Sequence, residues 1–290
     1  MRFAEAREWG PGGCRTSRVL GASMTSVTTP APAPDPAPDP AIVARLRAAG
    51  CVFAEDEARL IAEAASTPQE LEDLVAKRVS GLPLEPLIGW AEFCGLRIRV
   101  APGVFVPRHR TEFLVEQAVA LAAPDAVVLD LCCGAGAIGA AIASRAGAGV
   151  ELVACDVEPA AVRCARENIE PAGSVYEGDL YDALPASLRG RVDVLAVNAP
   201  YVPTDAIALM PPEARLYEPA VALDGGGDGL DVQRRVAAGA GEWLAPGGSL
   251  LIETSGEQAA ETAALFQREG LRVRIATSDE YDTTVVIATA

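Results

Sequence analysis

Apolar and polar positions along the chain follow two periods, and the change from one to the other divides the sequence. In residues 41–80 apolar side chains recur every three or four positions, for example at Ile42 and Leu46. This is the period of an amphipathic helix, so the segment is predicted to be helical. Beyond residue 113, short apolar runs alternate with amphipathic segments, which is typical of strands and helices in turn.

The first segment also carries a helix start signal. Thr67 is followed directly by Pro68 and, three positions after Thr67, by Glu70. This is the pattern of a capping box with proline in the first turn. Residues 41–90 are therefore predicted to form a small helical domain.

A linking β-hairpin is predicted in residues 91–112. Residues 91–106 alternate between apolar and polar side chains, and Pro102 and Gly103 stand between two apolar stretches. Turn-forming residues between two such runs favour a hairpin, here with Pro102 and Gly103 in the turn.

The remainder, residues 113–290, is predicted to be a larger domain of alternating strands and helices. Strands are expected at six places, which are residues 126–131, 151–156, 192–198, 249–254, 272–277 and 283–289. Helices are expected at residues 137–146, 159–169, 230–244 and 257–269. The last two strands have only a short connection, which suggests an antiparallel pair. Buried strands alternating with helices predict an α/β fold with a doubly wound sheet.

The N-terminal 40 residues differ from everything that follows. Proline occupies every second position of residues 30–40, a pattern that favours extended polyproline II and does not pack a core. Residues 1–40 are therefore predicted to be a disordered, proline-rich tail. Met24 lies just ahead of the proline run, so either Met1 or Met24 is the native start. A secretory signal is not expected, because no continuous apolar stretch occurs there.

Charge and composition narrow the chemistry. The 290 residues include 24 Lys and Arg against 40 Asp and Glu, a formal net charge of −16. An acidic surface repels a phosphate backbone, so nucleic acid is not favoured as a direct substrate. No run approaches the ~20 apolar residues that cross a membrane. With a single histidine, His109, no metal site is expected, and seven cysteines without a Cys-x-x-Cys spacing fit a cytoplasmic location.

A glycine-rich loop follows the first predicted strand of the α/β segment. Its glycines allow the backbone to approach a ligand, and the next helix offers free N–H groups at its N-terminus. The loop residues are Cys132, Cys133, Gly134, Ala135 and Gly136. Asp156 ends the next strand, where a carboxylate can accept hydrogen bonds from both hydroxyls of a ribose.

Two cofactors fit such a loop. Gly134, Gly136 and Gly139 have the spacing of the dinucleotide fingerprint, so NAD is one alternative. Asp130, just before the loop, disfavours a pyrophosphate but suits a ligand with a cationic amino-acid end. The terminal antiparallel pair is also typical of methyltransferases. S-adenosylmethionine is therefore the favoured cofactor.

A second loop, Asn198-Ala199-Pro200-Tyr201, follows the strand at residues 192–198, at the sheet edge where open α/β folds bind ligands. Its oxygen atoms are suited to accept hydrogen bonds from a planar amino group, and Pro200 stiffens the turn. The tetrapeptide resembles the Asn-Pro-Pro-Tyr motif of amino-group methyltransferases. Those enzymes act on the exocyclic amines of nucleic-acid bases or on the side-chain amide of glutamine.

Further stretches resemble one branch, the release-factor glutamine N5-methyltransferases. They are residues 83–89, 93–96, 106–112 and 217–230. The resemblance covers about residues 41–290. It implies a seven-stranded methyltransferase sheet in a catalytic domain that binds S-adenosylmethionine, residues 113–290, and substrate recognition by the helical domain, residues 41–90. It also implies a protein substrate, a release factor or similar, that carries the target glutamine. Ala199 replaces a proline of the family motif and Arg110 replaces a carboxylate, so a paralogous branch with another protein target is an alternative.

The resemblance implies a role for each loop. The methionine end of S-adenosylmethionine is assigned to Asp130, Cys132, Cys133, Gly134, Ala135 and Gly136. The ribose is assigned to Asp156, and the adenine side to Asp179 and Leu180. The catalytic residues are Asn198, which also adjoins the cofactor, Ala199, Pro200 and Tyr201. Three alternatives remain: an RNA or DNA amino-methyltransferase, an NAD-dependent oxidoreductase, and a cofactor-binding regulator without catalysis.

Overall fold

The computed structural model describes residues 37–290, so the predicted tail lies outside the described residues except for its last four positions. Helices come first, and their bounds are α1 (Pro40–Ala48), α2 (Ala54–Ala64), α3 (Pro68–Val79) and α4 (Leu84–Ile88). They enclose a core of their own that includes Leu46, Ile61 and Val75, all fully buried. The predicted helical segment is therefore confirmed.

The start of α3 has the predicted cap. The Thr67 hydroxyl oxygen accepts a hydrogen bond from the Glu70 N–H at 3.1 Å. The Glu70 carboxylate reaches back and accepts from the Ser66 N–H at 2.7 Å. One unpaired N–H group of the first helical turn is thus satisfied, and the Glu70 carboxylate binds the N–H of Ser66, one residue before the N-cap, instead of the N-cap N–H of a standard capping box.

The linking hairpin is present, but its turn is not where the sequence suggested. Strands β1 (Trp90–Phe93) and β2 (Leu96–Arg99) pair antiparallel, and the turn is formed by Cys94 and Gly95, whose φ angles are 52° and 77°. A two-residue hairpin turn matching the strand twist needs positive φ at both positions. Pro102 cannot adopt positive φ, so the prediction that Pro102 and Gly103 form the hairpin turn was wrong.

The α/β part follows the hairpin. In chain order its elements are α5 (Glu112–Leu121), β3 (Val127–Leu131), α6 (Ala137–Ala146), β4 (Glu151–Asp156), α7 (Pro159–Ile169), β5 (Gly173–Glu177), β6 (Val192–Val197), α8 (Pro212–Tyr217), α9 (Asp231–Trp243), β7 (Leu244–Thr254), α10 (Ala259–Arg268), β8 (Arg272–Ser278) and β9 (Thr283–Thr289).

These strands form one seven-stranded sheet in the order β5-β4-β3-β6-β7-β9-β8. The first five are parallel, and β9 pairs antiparallel with both β7 and β8. The predicted doubly wound sheet with a terminal antiparallel pair is confirmed. Sequence analysis located six of the seven strands and missed β5. In this edge strand only Val175 is buried, so its hydrophobic pattern is weak.

The strand order places two loops side by side. The chain moves outward from β3 to β4 and β5, then returns to pair β6 with the other side of β3. Such a reversal opens a crevice at the carboxyl ends of the two central strands. The glycine-rich loop after β3 and the Asn198 loop after β6 therefore share one edge of the sheet. Within residues 37–290, no helix is long and apolar enough to span a bilayer.

Candidate active site

A cavity of about 570 Å³ lies at this edge. Its walls come from the loops after β3, β4, β5 and β6, and from the chain segments that precede α5 and surround α8. Most of the predicted site residues line it: Cys132, Cys133, Gly134, Ala135, Asp156, Asp179, Leu180, Asn198, Ala199, Pro200 and Tyr201. Asp130 and Gly136, which were also predicted, do not line it.

Gly136 lies at the junction of the glycine-rich loop and α6 and shapes the loop without lining the cavity. It is the N-cap of α6 with a φ of 77°, a conformation that side chains other than glycine rarely adopt. A Cβ atom placed there would lie 2.7 Å from the Ile169 side chain. Gly136 therefore allows the loop to turn into α6 while α6 packs closely on α7.

Asp156 holds the glycine-rich loop and faces the cavity. One carboxylate oxygen accepts from the Gly134 N–H at 2.8 Å, and the other accepts from the Glu158 N–H at 2.9 Å. Each oxygen keeps a lone pair for a ligand hydroxyl. Burial raises the pKa of Asp156, against the lowering effect of these N–H groups. The position fits the predicted ribose contact.

Asp130 lies behind the loop and is fully buried. Its Oδ2 atom accepts from the Gly139 N–H at 2.8 Å, which ties the end of β3 to α6. Its Oδ1 atom has no hydrogen-bond partner among the described residues. Burial, helped by the negative charge of Asp156, raises the pKa of Asp130 to about 7. Asp130 can therefore influence a ligand through its charge and through the loop rather than as part of the cavity wall.

The part of the cavity wall after β5 contains an ion pair that the sequence did not indicate. Asp179 Oδ2 accepts from Arg235 Nη2 at 2.8 Å, and both side chains are about half exposed. Leu180 is buried beside them in a left-handed conformation with a φ of 49°. Arg235 belongs to α9, 56 positions further along the chain, so no local pattern could have identified it.

The Asn198 loop forms the other half of the cavity. The Asn198 side-chain Nδ2 donates to the Thr111 hydroxyl at 3.4 Å, and no described residue donates to its Oδ1. Ala199 is 1% exposed. The Tyr201 hydroxyl accepts from Arg110 and donates to Glu253, a buried residue that sequence analysis did not single out.

A second buried glutamate joins two of the stretches that carried the family resemblance. Glu218 Oε1 accepts from the Arg108 guanidinium at 2.6 Å and from the Val106 N–H at 3.2 Å. Its Oε2 has no partner among the described residues. Burial raises the pKa of Glu218 despite the Arg108 charge. The segment before α5 is thus fixed to the segment after α8 at the cavity.

The chain is similar in sequence to known methyltransferases. The family model described as "Methyltransferase small domain" matches residues 95–228. A release factor glutamine methyltransferase from Geobacter sulfurreducens is 40% identical over 209 residues, which cover 70% of this chain and 72% of the relative. A 4-amino-L-phenylalanine/4-methylamino-L-phenylalanine methyltransferase from Streptomyces pristinaespiralis is 35% identical over 217 residues, which cover 71% and 73%.

Solved structures agree on the architecture. A methyltransferase from Pyrococcus furiosus superposes with a TM-score of 0.51 at 17% identity, over 67% of this chain and 89% of that one. Fold and site together define a methyltransferase. Within this class, the chain belongs to the release factor glutamine methyltransferase family, as the sequence motifs indicated.

Proposed function

We propose that this protein transfers the methyl group of S-adenosylmethionine to the side-chain amide nitrogen of a glutamine in another protein, a release factor or a similar target. The observation that carries the proposal is the single cavity that joins the glycine-rich loop to Asn198-Ala199-Pro200-Tyr201. A methyl donor and an amide acceptor need such a shared space, because transfer requires their reacting atoms in line and in contact.

The residues present fit the cofactor. S-adenosylmethionine is a cation with an amino-acid end. Two carboxylates that form no ion pair among the described residues, Asp156 and Asp130, lie at the glycine-rich loop and behind it. The buried Asp130 Oδ1 has no hydrogen-bond partner among the described residues, and a cation bound nearby would favour the charged form of this carboxyl group. Asp156 has lone pairs free for the ribose hydroxyls. When bound, the sulfonium supplies an activated methyl group, and the protein supplies position and charge.

The Asn198 loop is suited to orient an amide. An amide nitrogen is a weak nucleophile because its lone pair is delocalised into the carbonyl. Asn198 Oδ1 and the Ala199 carbonyl would accept the two N–H bonds of the target and favour a pyramidal nitrogen. Pro200 has no N–H group that could compete for these acceptors. As the nitrogen–carbon bond forms, the sulfur–methyl bond breaks and S-adenosylhomocysteine leaves. The surplus amide proton passes to water after the transfer, so no histidine base is needed.

The helical domain is proposed to recognise the protein substrate. Its buried Arg78, on α3, donates to Glu57 of α2 at 2.6 Å and to Glu213 of α8 at 2.6 Å. Glu213 also lines the cavity. This contact fixes the helical domain next to the cavity wall, where a bound protein would touch both. We place the enzyme in the cytoplasm, which the six free cysteines of the described residues support.

The test is methyl transfer to a purified release factor and to a ribosomal extract, with labelled S-adenosylmethionine. We expect label in protein, at a glutamine located by mass spectrometry. Asn198→Ala should lower turnover at least 100-fold, as losses of oriented polar groups do, while S-adenosylmethionine affinity changes much less. Gln267→Ala, which truncates an exposed amide on α10, is the control. Equal losses of turnover and cofactor affinity would refute the role of Asn198.

A second candidate substrate is a free aromatic amine. It is favoured by the 35% identity to the 4-amino-L-phenylalanine methyltransferase. Adding that amino acid, or bulk RNA, as separate acceptors in the same assay distinguishes the candidates. Label in the amino acid or in RNA, with none in protein, would contradict the proposed function. The NAD interpretation has no support in a family of methyltransferases.

A further inference from the structure

Three side chains from distant parts of the chain meet behind the substrate end of the cavity. Arg110 belongs to the short helical turn His109–Thr111, Tyr201 to the loop after β6, and Glu253 to the end of β7. Arg110 and Tyr201 line the cavity, whereas Glu253 is 1% exposed and lies behind them.

Each of the three is hydrogen-bonded to the other two. Arg110 Nη2 donates to the Tyr201 hydroxyl at 2.8 Å, and Arg110 Nε donates to Glu253 Oε1 at 3.2 Å. The Tyr201 hydroxyl donates to the same Oε1 at 3.2 Å. The hydroxyl is therefore fixed both as acceptor and as donor, and the tyrosine ring is anchored at its far end.

Electrostatics explains why Arg110, Tyr201 and Glu253 depend on one another. A buried carboxylate is costly unless a cation compensates it, and Arg110 is the one ion-pair partner of Glu253 within residues 37–290. Burial and the Glu253 charge both raise the pKa of Tyr201, so its hydroxyl remains protonated and continues to donate. A lysine at position 110 could keep the charge, but its single ammonium could not bridge both partners in one plane as the guanidinium does.

We propose that Arg110 and Glu253 are positioning residues that hold Tyr201 in the orientation required for methyl transfer. This rests on the proposed function, because Tyr201 is the wall of the substrate end only if the acceptor amide binds at Asn198. Arg110 and Glu253 act through the tyrosine hydroxyl, and their contribution disappears when that hydroxyl is absent.

A double-mutant cycle tests this dependence. Turnover and KM for the protein substrate are measured for Glu253→Gln, for Tyr201→Phe and for the double variant. Losing a positioning hydrogen bond lowers turnover about tenfold. We expect Glu253→Gln to cost about tenfold in the parent and less than about twofold in the Tyr201→Phe background. S-adenosylmethionine affinity, measured by calorimetry, should not change.

Glu218→Gln is the matched control. Glu218 is also buried, is also paired with an arginine and also has one unpartnered oxygen, but it does not contact Tyr201. Its effect should be the same in both backgrounds. If Glu253→Gln does not fold, Arg110→Lys replaces it in the cycle, with the same expectation.

A failure of the positioning role and a failure of the proposed function would give different results. Equal effects of Glu253→Gln with and without the Tyr201 hydroxyl would overturn the positioning role, because a residue that only stabilises the fold acts independently of that hydroxyl. A parent protein that binds S-adenosylmethionine but labels no protein glutamine would contradict the proposed function instead.

Discussion

Replacing Asp130 with asparagine should make the protein more stable while weakening its cofactor binding. Asp130 is buried under α6 and its pKa is raised from 3.8 to about 7. The charged form is therefore disfavoured in the folded protein. Asparagine has the same shape, can keep the hydrogen bond from the Gly139 N–H, and places an N–H group where protonated Asp130 would carry its hydroxyl. The asparagine side chain therefore mimics the neutral, protonated form of Asp130 and does not titrate.

The size of the effect follows from linkage. Below pH 3.8 Asp130 is protonated in both the folded and unfolded states. As the pH rises from 3.8 to about 7, the unfolded chain releases this proton and the folded protein retains it, so the free energy of unfolding falls. The difference of about 3 pH units, at about 1.4 kcal/mol per unit, corresponds to about 4 kcal/mol. The stability advantage of Asp130→Asn should thus be about 4 kcal/mol at pH 8.5 and less than half of that at pH 5.

Urea denaturation of both proteins at these two pH values measures the advantage. Asp224→Asn is the control, because the pKa of Asp224 is shifted in the opposite direction from that of Asp130. Hydrogen bonds from the Gly226 N–H and the Thr204 hydroxyl lower it. The stability that Asp224 provides is present above its unfolded pKa, so the effect of its replacement should be constant from pH 5 to 8.5. An Asp130→Asn advantage that does not grow over this range would refute the assigned pKa. Unchanged S-adenosylmethionine affinity would refute the role of its charge in cofactor binding.

Two further substitutions probe the ribose contact and the helical domain. Asp156→Ala should weaken S-adenosylmethionine binding by about 10- to 100-fold, as expected for lost hydrogen bonds to a charged group. Calorimetry measures the dissociation constant, and Asp193→Ala, at the end of β6 away from the cavity, is the control. An unchanged dissociation constant would contradict the ribose assignment. Thr67→Ala should lower the unfolding free energy of the helical domain by about 1 kcal/mol, measured by hydrogen exchange. Ser66→Ala, which keeps the backbone bond to Glu70, should have little effect, and equal losses would contradict the cap.

The predictions from sequence succeeded where local pattern determines structure. The bounds of α6, β4, α7 and β9 agree with the predicted ones, because buried strands and amphipathic helices carry strong periodic signals. The strand β5 was missed because it is an edge strand with one buried side chain. The hairpin turn was misplaced because Cys94 adopts a positive φ, which a cysteine seldom does.

Residues that line the cavity were predictable mainly where a motif follows a strand. Loops after β3 and β6 are adjacent because the sheet order reverses between them, and that follows from the fold class. Glu253 could not be found in this way. It lies 52 positions from Tyr201 and 143 from Arg110, and only the folded sheet brings the ends of β6 and β7 together.

The buried carboxylates at the proposed cofactor end of the cavity are in a different electrostatic state from those at the substrate end, and this difference suits the transfer of a methyl group from a sulfonium. As the methyl group moves, positive charge leaves the sulfonium and develops on the acceptor nitrogen. A fully charged carboxylate at the cofactor end would stabilise the starting state more than the transition state, and only differential stabilisation increases the rate. The raised pKa of Asp130, about 7, limits this penalty near neutral pH. At the substrate end the buried carboxylates Glu218 and Glu253 are each paired with an arginine, so they can hold Arg108, Arg110 and Tyr201 in place without exposing a free charge to a neutral amide. Under the proposed function, binding of the cation and rigidity of the amide site would thus be provided by separate sets of acids.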